Sequence, residues 1–266
     1  MGVLRVICDR GRRVYVSAKV PARNFGEKGD HLMDIITTAD GWLFLLRWLH
    51  FLAGITWIGL LYYFNFVQTP FFGTELGGQA KGAMLRGLVP SALWWFRWGA
   101  MFTFLSGWTI IMVKLHQGFS LGDPYMTKIL TGGILGTLMW ANVWFVIWPA
   151  QKVVIQSAET VAGGGAAIPE AAARGARAGL ASRTNTLFSI PMLFFMGSAS
   201  HLSHLAVGTN DVLYWLVAGV IMLAVEINAL TGPGLATQKP LTTVKGTIHA
   251  GLLLALVLYL IGVVVL

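Results

Sequence analysis

The sequence predicts an all-α integral membrane protein, a bundle of about six transmembrane helices, on three observations. Of its 266 residues 56% are hydrophobic and only 11% charged, against about 25% charged in a soluble domain, too few to solvate a globular surface. Six stretches are long and apolar enough to cross the hydrocarbon, which takes roughly 20 residues of helix: about 42–67, 92–113, 128–149, 186–206, 211–230 and 247–266. No run alternates like a barrel strand, and a backbone in lipid must satisfy its own hydrogen bonds, so the stretches read as helices.

Each element has its punctuation. Thr69-Pro70 is expected to close the first helix, and Gly122-Asp123-Pro124 to turn before the third. Pro149 is expected to end the third helix, and Gly232-Pro233-Gly234 follows the fifth. The Ala/Gly-rich 150–185 stretch, with Gly163-Gly164-Gly165, reads as a flexible linker or as a loop holding a short surface helix around 169–181. The second reading is preferred.

Residues 1–40 form an N-terminal extension ahead of a transmembrane domain at 41–266. The extension carries Arg5, Arg10, Arg12, Arg13, Lys19, Arg23 and Lys28 and lacks the apolar core of a signal peptide. Translation is therefore expected to begin at Met33; the rival is a basic cytoplasmic tail with inverted topology.

The net charge of +8 belongs to loops and tails and sets orientation, with no call for nucleic acid. With the first helix entering from outside, the inner loops hold Lys81, Arg86, Lys152, Arg174, Arg177, Arg183, Lys239 and Lys245, and the outer loops only Lys114 and Lys128. That expectation places a multi-pass protein in a bacterial inner membrane with both ends of the bundle periplasmic. Eleven Trp suit the membrane–water interface.

Cys8 is the single cysteine, which excludes an internal disulfide and a covalent c-type haem in this chain. Any haem would be held by His or Met. His50 lies about eight residues into the first helix, three after Arg47 on the same face and followed by Gly54 and Gly59. These glycines would let a helix or a flat macrocycle approach closely. His201 and His204 share one face near the outer end of the fourth helix, and His116 falls at the outer edge of the second. Ionisable groups at membrane depth point to function. His50 with His201 or His204 is the candidate axial pair for a b-type haem, and Arg47 the candidate propionate partner. The bland alternative is that each imidazole bonds a neighbouring helix or interfacial water. Glu226, Asn228 and His249 form an inner polar trio, read as a proton path, a second ligand site or a helix-locking network. No GxGxxG, P-loop, HExxH or GxSxG motif is present.

Four blocks now suggest a family. Arg47-Trp48-Leu49-His50 with Ala53-Gly54-Ile55-Thr56-Trp57-Ile58-Gly59 resembles the first helix of the bacterial PuuD-type urate hydroxylases. Leu93-Trp94-Trp95-Phe96-Arg97-Trp98 with Leu105-Ser106-Gly107 is similar to that family's aromatic second signature. Ala141-Asn142-Val143 through Pro149-Ala150-Gln151, and Ser182-Arg183-Thr184-Asn185 through Pro191-Met192-Leu193-Phe194-Phe195-Met196, resemble two later blocks. The resemblance covers helices one to four and fades over the last two. Trp94 stands where a family His is expected, and Thr184-Asn185 where the family tends to carry His-Asn.

The resemblance implies a urate oxidase N-terminal membrane domain, oxidation of urate to 5-hydroxyisourate, and electrons passed to cytochrome c. The family's cytochrome c domain does not follow in this sequence, so a separate cytochrome c is the expected acceptor. Arg97, Asn142 and Asn185 are the candidate substrate-binding groups for the planar urate anion. The alternative class is a non-redox structural or assembly subunit of a membrane complex.

Overall fold

A computed structural model describes residues 3–9, 12–18, 33–202 and 211–265, with side chains over 33–202 and 212–265. The chain divides into two compact units, 1–44 and 45–266. The first holds an antiparallel pair, β1 (Val3–Asp9) and β2 (Arg12–Ala18), registered Val3 to Ala18 and Asp9 to Arg12, and the short α1 (Asp34–Thr37). The second unit is an all-α bundle.

Among the described residues, five helices are long and apolar enough to span a bilayer. The first comprises α2 (Ala39–Tyr62), a π-helical segment at Tyr63–Gln68 and α3 (Thr69–Phe72). After α4 (Glu75–Arg86) comes α5 (Leu88–His116). The third span comprises α6 (Pro124–Ala141), a second π-helical segment at Asn142–Ile147 and α7 (Trp148–Ala162). The sixth long helix of the bundle, α8 (Ala171–His201), comes next. The last two spans lie in α9 (Asp211–Leu230) and in α10 (Val244–Val265), joined through a 3-10 turn at Ala236–Thr242. This is a multi-pass membrane protein.

Two prolines read as helix ends do not end their helices. Pro70 and Pro149 each sit two residues beyond a π-helical segment, and the chain continues helically to Phe72 and to Ala162. A proline in a plain α-helix removes a hydrogen bond and clashes with the carbonyl four residues back. Here the turn before it is widened: the amide of Thr69 donates to the carbonyl of Phe64, and that of Trp148 to Val143, five residues back. The wider turn makes room for the ring.

The 150–185 stretch is accordingly no long loop. It is the end of α7, a connection at 163–170 and the first turns of α8; the surface helix expected around 169–181 is the start of the continuous α8. The short connection after the first helix contains α4, whose N-terminus is capped by Thr74 Oγ1 accepting from the Gly77 amide at 3.1 Å.

Helix α8 is the axis of the bundle. It packs against α6, α7, α9, α10 and both π segments, and Thr184, Asn185, Thr186 and Ser189 are buried in it. Its polar residues meet protein while the large apolar ones elsewhere meet lipid: Phe51, Ile55, Phe145 and Val264 are all well exposed. That is the expected polarity for a bundle whose surroundings are as apolar as its core. It is also why α8 is not among the five helices apolar enough to span.

The third span runs 39 residues, about 58 Å at 1.5 Å per residue, against a hydrocarbon core of about 30 Å. The span therefore outruns the lipid, and α7, with Gln151, Lys152, Gln156 and Glu159, is its more polar end. Helix α5 and the third span are joined along an aromatic seam. Phe104 stacks on Trp140 with centroids 4.1 Å apart, Trp98 meets Trp144 edge-on at 5.6 Å, and Trp108 Nε1 donates to Thr137 Oγ1 at 3.0 Å.

Candidate functional site

The sequence-predicted residues fall into three places. The first is the α2–α5 contact. Ser106 Oγ lies 3.1 Å from His50 Nδ1 and 2.6 Å from the Phe102 carbonyl. A carbonyl only accepts, so the serine can give its proton to Phe102 or, at 3.2 Å, to the Thr103 carbonyl, and the imidazole can then donate through Nδ1. Nε2 of His50 then carries the lone pair. Arg47 has no hydrogen-bond or ion-pair partner among the described residues. Gly54 faces Thr103, and a Cβ on Gly59 would meet nothing within 4 Å.

The second place is the end of α8. His201 Nδ1 donates to the Gly197 carbonyl at 2.9 Å, which again leaves Nε2 as the free base. His204 lies outside the described residues. His116 is the last residue of α5. Among the described residues, no group of three or more His, Cys, Asp or Glu side chains is gathered for a metal ion. Neither His50 nor His201 lines either of the two cavities described.

The third place is the middle of the bundle, and here the structure joins what the sequence left apart. Asn142 Nδ2 donates to Asn185 Oδ1 at 2.9 Å and to Glu226 Oε2 at 3.1 Å. Asn185 Nδ2 donates to the Met139 carbonyl at 2.9 Å. The three side chains are almost wholly buried, and they tie the π segment, α8 and α9 together. Asn142 Oδ1 is buried without a partner. Glu226 thus pairs with Asn142. Asn228 instead accepts from Thr237 at its side chain and from Gln238 at its carbonyl, so the inner trio does not form one network.

Of the three candidate substrate groups, the two asparagines meet and Arg97 is engaged elsewhere. Its guanidinium lies 3.8 Å from the centre of the Trp148 ring, a close cation–π contact. Its Nε has no partner, nor do the indole N–H groups of Trp57, Trp140 and Trp144. Sequence reasoning missed a further polar layer: Tyr62 OH bonds Ser189 Oγ at 2.9 Å, and Asn65 Nδ2 donates to Ser182 Oγ at 2.8 Å. The Asn65 side chain also donates to the Leu61 carbonyl at 2.9 Å, within the chain that the Pro70 signal had marked as a helix end.

Asn65 and Ser182 line a cavity of about 1040 Å³ between the α7 end, α4, the start of α8 and the 3-10 turn. Its walls include Phe64, Phe72 and Phe96, with Gln68 and Arg183 among the polar groups. The Gln238 side chain closes one rim, accepting from the Gly234 and Leu235 amides and donating to the Asn228 and Gly232 carbonyls.

No curated protein and no solved structure matches this chain. A family model described as urate oxidase N-terminal matches residues 115–231. The match contains Asn142, Asn185, Glu226 and His201 and runs through α9, further along the chain than the sequence blocks suggested. The blocks around His50 and Arg97 lie ahead of it. Over residues 115–231, the chain is similar to the urate oxidase N-terminal family.

Proposed function

We propose that this chain is a membrane-embedded redox protein that holds b-type haem non-covalently and passes electrons to a separate cytochrome c. The observation that carries the reading is the hydrogen bond that each of two imidazoles makes through Nδ1. The Gly197 carbonyl takes the Nδ1 proton of His201, and Ser106, with carbonyls to receive its own proton, can take that of His50; a histidine that ligates a metal characteristically donates its other ring nitrogen in this way. The donor set fits axial ligation: His50 and His201 would each offer Nε2, and the unpaired Arg47 would meet a propionate. His204 remains the alternative ligand to His201. The bound haem would supply one-electron chemistry, with the protein setting its potential through ligation and burial.

The family match over residues 115–231 extends the proposal to urate. Oxidation to 5-hydroxyisourate takes an oxygen from water and releases two electrons and two protons, with cytochrome c as the oxidant. Arg97, Asn142 and Asn185 remain the candidate substrate groups. Asn142 Oδ1 is the acceptor left open on the asparagine pair; the amide donors of both are spent on Asn185, Glu226 and Met139. The orientation expected from the loop charges would put the haem ligands at the periplasmic face.

The test is a pyridine haemochrome assay and optical spectrum on the detergent-solubilised protein. A b-type spectrum is expected, with the Soret band lost or reduced at least several-fold in His50→Ala. A band unchanged in that variant removes His50 as ligand, and a colourless protein removes the redox proposal. Urate-dependent reduction of added cytochrome c then tests the enzyme. The second reading, a structural subunit, is favoured by the broad apolar surface with Trp48, Phe51 and Trp95 exposed. It expects a colourless protein that co-purifies with a larger complex.

A further inference from the structure

We infer that the cavity between α4, the α7 end and the start of α8 holds one anionic phospholipid. Its phosphate would sit among Lys81, Arg183 and Lys239, with its chains against the apolar wall. The first observation is depth. Roughly 20 helical residues cross the hydrocarbon. Counted back from His116, the end of α5, they finish at about Phe96; counted on from Pro124, the start of α6, they finish at about Trp144. Phe96 and Ile147 both line the cavity, so its floor lies where acyl chains give way to headgroups.

The second observation is charge. Lys81 from α4, Arg183 from α8 and Lys239 from the 3-10 turn all line the cavity, and among the described residues no Asp or Glu joins them. Three cations from separate elements repel one another, and a bound anion relieves that repulsion. A basic pocket between spans at headgroup level suits an anionic lipid.

The third observation is what adjoins the charge. The Lys81 ammonium lies 5.9 Å from the centre of the Phe72 ring, and both residues line the cavity. Phe64, Leu85, Leu93 and Phe96 continue the apolar wall. At about 1040 Å³ the space exceeds the roughly 300–1,000 Å³ of a small-molecule site. A free inorganic anion would leave that wall bare, and a lipid without net charge would leave the cations uncompensated. Neither His50 nor His201 lines the cavity, so the lipid and haem readings fail independently.

The experiment is native mass spectrometry of the full chain, delipidated in a neutral detergent. The probes are phosphatidylglycerol and phosphatidylcholine with the same acyl chains, and inorganic phosphate. One phosphatidylglycerol should be retained at least tenfold more tightly than phosphatidylcholine, and inorganic phosphate should not displace it. Combining Lys81→Gln, Arg183→Gln and Lys239→Gln should abolish the preference. Combining Arg86→Gln and Lys245→Gln should leave it unaltered, because neither cation lines the cavity.

Gly179→Phe tests the wall without touching charge. Gly179 lines the cavity, and a Cβ there would meet nothing within 4 Å, so the ring takes up lipid space and retention should fall at least tenfold. The lipid comparison uses the unaltered chain, so it stands even where a variant folds badly. Equal retention of the two lipids overturns the inference. So does a preference that survives the triple variant or Gly179→Phe, or one lost equally in the Arg86 and Lys245 pair. Displacement of phosphatidylglycerol by inorganic phosphate also overturns it, since that assigns the cations to a free anion.

Discussion

Asn142→Leu is expected to destabilise the bundle by about 2–3 kcal/mol, and more than any ordinary polar substitution between its helices. Interhelical hydrogen bonds in membranes average only about 0.6 kcal/mol, but leaving a buried polar group unsatisfied costs about 1–3 kcal/mol. Asn142 supplies both donors of the cluster, to Asn185 and to Glu226. Its loss leaves a buried carboxyl facing leucine and opens the join between three helices at once. The measurement is detergent unfolding of Asn142→Leu, Glu226→Leu and the double variant. Removing both partners should cost less than the sum of the single changes, because the orphaned carboxyl goes with the second change. Additive losses, or an unaltered midpoint in Asn142→Leu, would show that the cluster does not hold the helices.

Gly251→Val is expected to be worse. A Cβ at Gly251 would lie 2.6 Å from Ile190 Cδ1 and 2.8 Å from the Leu187 carbonyl oxygen. The isoleucine tip can turn aside; a backbone carbonyl cannot. Four residues on, Pro191 lies inside α8 and has no N–H to return to Leu187, and α10 presents a residue without a side chain against that oxygen. Even Gly251→Ala should cost about 1–3 kcal/mol, the range for overpacking, and valine should prise α10 from α8. Unfolding midpoints of the two variants check this. A valine variant as stable as the unaltered chain would mean the two helices do not approach as closely as the geometry requires.

The fold class was legible because it depends on bulk quantities. A charge deficit and apolar runs of sufficient length survive any error about boundaries. The boundaries themselves were less legible, and for one reason. Pro70 and Pro149 are stop signals in a plain helix, and nothing in the residues flanking Thr69 or Trp148 announces a widened turn that cancels the stop. Helix α8 was mislaid in part by the same kind of error, since its Ala/Gly-rich beginning scores as linker when tertiary contacts are ignored.

The candidate site was half legible. Asn142 and Asn185 each stood out as polar residues in apolar helices, yet 43 residues separate them, and 84 separate Asn142 from Glu226. Pairing at that range depends on which faces of three helices meet, which periodicity alone does not fix. The cavity was invisible in sequence because its cations come from separate connections. Arg183 and Lys239 read there only as inner-loop charges, and Gln68 drew no notice.

The two widened turns have a bearing on how any scan of this protein must be read. An inserted residue turns everything after it by about 100°, one part in 3.6 of a revolution. A stripe of lipid-accessible positions followed down the first span should therefore slip phase across Tyr63–Gln68, and again across Asn142–Ile147 in the third. Spin labels or cysteines placed at a strict helical repeat would report a twisting surface where the helix axis is continuous, and a homologue lacking either insertion would have to present a different set of side chains to the same neighbours.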